Sequence, residues 1–288
     1  MEIISGTALS KIVKNSLAER IAAWKAEGKR APKLSVVLVG EDSDSMKYVK
    51  IKEKTCAEIG MIGELHLLPE NISQGELLGL IDKLNRNEMV DGILIQLPLP
   101  AHIDTKTVLN HVDYRKDADG LHPMNAGLLF EGGKGVLPCT PKGIISLLKY
   151  GNIEIDGKHA VVLGRSNLVG NPVAQMLMRE NATVTICHTH TQNLPNIVKQ
   201  ADILVLAMGT FGVVTPEMLK PDVVVVDVAM NWVNNRLAGD LYAERNLAAL
   251  ENIVSVITPV PGGVGPMTIV GLLENVVEMA TSQPHSPK

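Results

Sequence analysis

Tyr48 and Lys52 lie four residues apart in YVKIKEK (48–54), so a helix through this segment sets a phenol and an amine on one face. A lysine amine can transfer protons near neutral pH if burial lowers its proton affinity. A neighbouring phenol can orient that amine or stack on a flat ligand. A solvated helix face carrying Lys47, Lys50, Lys52 and Lys54 is the competing reading.

Gln96 ends an apolar run in GILIQLPLP (92–100). A buried, unpaired amide costs about 1–3 kcal/mol, so Gln96 needs a partner in the protein or in a ligand. In KDADGLHPMN (116–125), Asp117 and Asp119 occupy a polar turn. A carboxylate there can bind the amino-pyrimidine edge of a heterocycle through paired hydrogen bonds, or simply cap the turn. His122 has no evident partner in the sequence.

LGRSNLVGNP (163–172) follows a strand pattern and precedes a helix pattern. It lacks the full dinucleotide fingerprint, yet small residues before a helix N-terminus suit a phosphate. Arg165 adds a planar cation, which favours NADP over NAD because the extra 2′-phosphate needs one. A tight strand–helix turn with a surface arginine is the alternative. ITPVPGGVGPMT (257–268) packs glycines and prolines into a rigid loop before a helix, where backbone amides can meet a ligand. His188 and His190 beside Cys187 do not complete a ligand set, so no metal is expected.

The elements that position these residues read as α/β. KLSVVLVG (33–40), a strand near HLLP, GILIQLPLP, KHAVVLG (158–164), TVTIC (183–187), DILVLA (202–207) and VVVVDV (223–228) are strands alternating with helices. The helices run from about Ser45 to Ile59 with Gly60 as stop, from Gln74 to Asn85, from a Thr140 cap with Pro141 at the first position, and from Thr268 to Ala280. An N-terminal helix is capped by Ser5 or Thr7. The expectation is an N-terminal α/β catalytic domain of residues 1–139 and 269–288, to which the last helix returns, and a Rossmann-like nucleotide domain of residues 140–268.

With 45% hydrophobic residues, 20% charged residues and a net charge of −4, the chain is ordinary globular protein without the basic footprint of a nucleic-acid binder. Its three cysteines form no C-x-x-C pair. MEIISGTALS lacks a signal pattern, and no apolar run reaches the roughly 20 residues of a membrane span. A cytoplasmic protein with no nucleic-acid or membrane partner is expected.

YVKIKEK, DGILIQLPLP (91–100), KDADGLHP (116–123), PCTPKG (138–143), GRSNLVGNP (164–172) and TPVPGGVGPMT (258–268) together closely resemble the methylenetetrahydrofolate dehydrogenase/cyclohydrolase family in order and spacing. The resemblance spans almost the whole chain. It implies that Lys52 is the acid/base residue, that Tyr48 stacks on or orients the folate, and that Gln96 bonds Lys52 and tunes its protonation. It also implies that Asp119 anchors the pterin, and that Leu97, Pro98, Pro261, Gly262 and Gly263 line the folate pocket. Gly164, Arg165 and Ser166 match the NADP-binding turn, Thr189 stands where a hydroxyl helps hold the 2′-phosphate, and Met230 lies in a cofactor-contacting segment. Thr189 replaces a common Ser, and Ala229-Met230 replaces a frequent Gly-Ile. The implied partners are tetrahydrofolate derivatives and a second copy of the chain, in a homodimer joined through the nucleotide domain. The formate ligase domain of some larger relatives is not expected here. Two other readings stand beside this one: an NADP oxidoreductase of another small substrate, and a noncatalytic nucleotide-sensing dimer.

Overall fold

A computed structural model describes residues 1–233, 236–241 and 249–282. In chain order its elements begin with β1 (Glu2–Ile3), α1 (Gly6–Ala26), β2 (Lys33–Val39), α2 (Ser43–Glu58), β3 (Ile62–Leu68), α3 (Gln74–Arg86) and β4 (Gly92–Ile95). They continue through α4 (Thr105–His111), α5 (Pro123–Glu131), α6 (Cys139–Tyr150), β5 (His159–Leu163), α7 (Gly170–Arg179), β6 (Thr183–Cys187), α8 (Leu194–Val198) and β7 (Ile203–Leu206). The rest are β8 (Val223–Asp227), β9 (Asn231–Val233), β10 (Arg236–Ala238), β11 (Val254–Ile257) and α9 (Val264–Ser282). The chain forms two compact units. One comprises Met1–Lys11 with Pro138–Gly271, and the other Ile12–Leu137 with the chain from Leu272 onward. Two of the three divisions fall inside α1 and α9, and the third lies between Leu137 and Pro138, just before α6.

The unit built on Ile12–Leu137 holds a three-stranded parallel sheet in the order β3-β2-β4. After its first residue, β2 is buried throughout, which is why it reads as an unbroken apolar run rather than an alternating one. Val37, Val39, Leu77, Ile81, Ile93, Ile95 and Val108 form its core. The chain leaves β2 through α2 to one side and returns through α3 to the other, so the carboxyl ends of β2 and β4 flank a topological switch point. Asp42 starts α2 by accepting from Ser45 N at 2.8 Å, and Gly60 stops the chain beyond it at φ 83°.

The unit built on Pro138–Gly271 holds a six-stranded parallel sheet in the order β1-β11-β8-β7-β5-β6. Its strands are packed by Val161, Leu163, Leu204, Leu206, Val223 and Val225, with Val198 and Leu250 from flanking segments. Because β6 and β7 lie on opposite sides of β5, the switch point here falls at the carboxyl ends of β5 and β7.

Several elements differ from the sequence expectations. α6 begins at Cys139 with no side-chain cap, because the Thr140 hydroxyl bonds the Thr268 hydroxyl at 2.9 Å instead. α9 begins at Val264, four residues before the expected Thr268. His122 caps α5, its Nδ1 accepting from Met124 N at 3.0 Å, with Pro123 at the first helical position. The strands β1 and β11, the β9–β10 hairpin and the short helices α4, α5 and α8 carry too few residues to show a period. Among the described residues, no helix is long and apolar enough to cross a membrane.

Candidate functional site

Gln96 directly follows β4, and its backbone N–H still pairs with Val37 O at 2.9 Å, so the sheet fixes its position. Its side chain is committed at both ends: Oε1 accepts from Lys52 Nζ at 2.8 Å, and Nε2 donates to Leu97 O at 2.8 Å. A lysine ammonium or amine donates and a carbonyl accepts, so the amide has one sensible orientation. Buried Val49, Thr55 and Cys56 hold α2 to the unit, leaving Lys52 half-buried and Tyr48 42% exposed one turn earlier. Leu97 is half-buried and Pro98 exposed, joined by a cis peptide.

The segment just before Asp119 is tied to the same strand, β4. The segment Lys116–Ala118 runs parallel to β4 through Ile93 N to Lys116 O (2.7 Å) and Ala118 N to Ile93 O (3.1 Å). Beyond that bridge the chain turns at once, Gly120 N donating to Asp117 O at 3.2 Å, with Asp119 inside the turn. Two residues not singled out in the sequence hold this segment. Asn125 Nδ2 donates to Asp117 Oδ2 at 3.0 Å and Tyr114 O at 2.8 Å. Buried Asn275, on the C-terminal half of α9, donates to Ala118 O at 3.0 Å and Leu137 O at 2.8 Å. An Asn inside the apolar stretch LLENVVEMA was the available signal. Asp117 is thus a scaffold carboxylate: it accepts from His122 N at 2.8 Å as well as from Asn125, and burial pushes its proton affinity above the usual carboxylate range.

In the other unit, Gly164 ends β5 at φ 123°, and a Cβ there would lie 2.4 Å from Ala207 O. A Cβ on Gly170 would lie 2.1 Å from Gly164 O, so the two glycines let α7 start directly against the strand turn. Ser166 folds this turn by accepting from Val169 N at 3.1 Å. Arg165 and Ser166 are exposed, and so is Thr189. The pairing of Leu163 with Cys187 sets Arg165 and Thr189 at the carboxyl ends of adjacent strands. No carboxylate occurs from His188 to Asn193 at the end of β6, the place where NAD enzymes read the ribose with an acid. Met230 is exposed just after β8. This cradle suits a phosphorylated nucleotide.

The Pro261-Gly262-Gly263 loop docks on the start of α1. Thr7 N donates to Gly262 O at 3.0 Å, and a Cβ on Gly6 would lie 1.7 Å from Gly263 O. Among the described residues, no group of three His, Cys, Asp or Glu side chains is arranged to hold a metal ion.

Two family descriptions cover most of the chain: tetrahydrofolate dehydrogenase/cyclohydrolase, catalytic domain, over residues 4–119, and its NAD(P)-binding domain over residues 138–284. The chain belongs to the tetrahydrofolate dehydrogenase/cyclohydrolase family. A family relative, the bifunctional protein FolD of Geobacillus thermodenitrificans, is 48% identical over 280 residues, 97% of each chain. The crystal structure of the bifunctional FolD methylenetetrahydrofolate dehydrogenase/cyclohydrolase from Campylobacter jejuni is 44% identical with a TM-score of 0.93, covering 98% of this chain and 99% of that one. The Trypanosoma brucei methylenetetrahydrofolate dehydrogenase-cyclohydrolase, solved with NADP cofactor and inhibitor, is 37% identical with a TM-score of 0.89 and covers 97% of each chain. Both halves of the tetrahydrofolate dehydrogenase/cyclohydrolase architecture are therefore present: the β3-β2-β4 sheet lies in the catalytic domain, and β5 to β8 lie in the NAD(P)-binding domain.

Proposed function

We propose that this chain oxidises 5,10-methylenetetrahydrofolate to the 5,10-methenyl form with NADP and then hydrolyses that product to 10-formyltetrahydrofolate. The observation that carries this reading is the 2.8 Å bond from Lys52 Nζ to Gln96 Oε1, which holds one amine at the carboxyl end of β4.

Lys52 manages the proton of the hydrolytic step. With one N–H committed to Gln96, Lys52 in its amine form offers a lone pair to a proton of the attacking water. Water oxygen bonds the methenyl carbon and one water proton passes to Lys52. The carbon–N5 bond then breaks as the second water proton moves from the carbinol oxygen to N5, leaving the formyl group on N10, and Lys52 gives its proton to solvent. One proton is released overall. A neutral Lys52 is also easier to accommodate beside a cationic intermediate than a charged one. Asp119 anchors the pterin, Tyr48 orients or stacks on the folate, and Leu97, Pro98, Pro261, Gly262 and Gly263 line its pocket.

NADP, when bound, supplies the acceptor for the hydride. Gly164, Arg165, Ser166, Thr189 and Met230 would hold it, with Arg165 and the Thr189 hydroxyl toward the 2′-phosphate. The hydride step asks the protein chiefly for positioning, which can supply up to about 7–11 kcal/mol.

The working division is residues 1–139 with 269–288 for folate and residues 140–268 for NADP. A homodimer through the nucleotide domain fits the 71% exposed Trp232 on β9, and the cytoplasm is the expected address. A spectroscopic assay with methylenetetrahydrofolate and either NADP or NAD tests the function. Reduced cofactor should form, more with NADP than with NAD, and methenyltetrahydrofolate should decay. Turnover on a shikimate-like or amino-acid substrate with none on folate would replace this reading.

A further inference from the structure

Two carboxylates that this chemistry does not use are buried in the nucleotide-binding unit. Asp227 ends β8 at 0% exposure, and Asp240, just after β10, is 1% exposed. Every oxygen has backbone donors. Asp240 Oδ2 accepts from Met208 N at 2.8 Å and Gly209 N at 3.0 Å, while Oδ1 accepts from Thr210 N at 2.7 Å and Asn231 Nδ2 at 2.9 Å. Asp227 Oδ1 accepts from Ala229 N at 3.2 Å and Asp240 N at 3.0 Å, and Oδ2 from Leu241 N at 3.0 Å. A Cβ on Gly239 would lie 2.0 Å from Asp227 Oδ2, so the chain passes Asp227 there only as glycine.

Three successive amides turned onto one carboxylate make an anion nest whose anion belongs to the protein itself. The nest is the loop that leaves β7 at the switch point. Ala207, the residue before it, supplies the carbonyl that excludes a side chain from Gly164. The fourth donor, Asn231, adjoins Met230. Asp240 therefore ties together two segments that border the Gly164 turn and the Met230 position, and Asp227 fixes Asp240 through its backbone.

We propose that Asp240, backed by Asp227, is a positioning residue for the nicotinamide nucleotide: it sets the Met208–Thr210 loop and Asn231 in the shape the cofactor meets. This rests on the NADP reading given above.

The two activities provide an internal control, since methenyl hydrolysis consumes no nucleotide. In Asp240→Asn, one oxygen becomes an amide that faces donors. NADPH affinity, read by titration of its fluorescence, should fall about tenfold or more, and dehydrogenase kcat/KM with it. Methenyl hydrolysis should stay within about twofold of the parent, a split that general loss of structure would not give. Should Asp240→Asn fail to fold, Asn231→Ala decides, because it removes one donor and leaves the nest intact. Its NADPH affinity should fall several-fold while its melting temperature stays near the parent value. Unchanged NADPH affinity in a folded variant overturns the proposal. Loss of both activities by the same factor at unchanged affinity does so too. If the parent lacks methenyl hydrolysis, the functional reading fails on its own, and the NADPH titrations still decide the role of Asp240.

Discussion

Lys52 Nζ and Gln96 Oε1 are 2.8 Å apart, and the far end of the same amide is tied to Leu97 O at 2.8 Å. Gln96 cannot turn its nitrogen toward Lys52 without setting Oε1 against Leu97 O, acceptor against acceptor. The amine is thereby bonded to a group anchored to the sheet.

Lys52→Met keeps an unbranched side chain, one heavy atom shorter, and removes the proton carrier. Methenyl hydrolysis should fall by at least about 10²-fold, the low end of what a positioned acid/base group contributes. NADPH binding and the melting temperature should be retained. Stopped-flow decay of methenyltetrahydrofolate checks this, and hydrolysis at the parent rate removes Lys52 from its role.

Gly170→Ala places a methyl 2.1 Å from Gly164 O and 2.8 Å from Arg165 N, both backbone atoms. The start of α7 must shift, at a cost of about 1–3 kcal/mol for an overpacked site. A lower melting temperature and weaker NADPH binding are expected together, with methenyl hydrolysis little changed below the new transition. Calorimetry and an NADPH titration measure both, and a variant with parent-like values in each would show that the turn has slack.

Burial raises the proton affinity of Asp117, outweighing the opposing bonds from His122 N and Asn125. The folded protein then keeps this proton to higher pH than the unfolded chain does. Stability from this group is fully present below the unfolded value of about 4 and is lost as pH rises through the raised folded value. Asp117→Asn has no proton to lose, so its melting temperature relative to the parent should climb across that window and then level off. A difference that stays constant with pH would contradict this sign.

Cys56 is buried and free, and burial, with Glu53 nearby, pushes its thiol up to about 12. The thiolate is the reactive form, so Cys56 should resist alkylation near pH 8 and react once the chain is unfolded. Mass spectrometry after a timed iodoacetamide pulse reads this directly. Rapid native labelling at Cys56 would mean that the α2 packing opens on that timescale.

The sequence by itself determined the local elements and much of the candidate chemistry. Buried parallel strands are contiguous β-branched runs, so KLSVVLV, HAVVL and VVVVD announce themselves, and Gly60 marks the end of α2 through its backbone freedom. What a single segment cannot show is its partner. Four lysines crowd α2, and only the tertiary structure brings Gln96 to Lys52 from another strand of the sheet. Thr140 reads as a cap until Thr268 takes its hydroxyl, and Asp240 reads as an ordinary loop acid until three amides of a distant loop close on it. Periodicity reports which face of one segment is buried. Which groups meet across that face is set by the pairing of strands far apart in the chain.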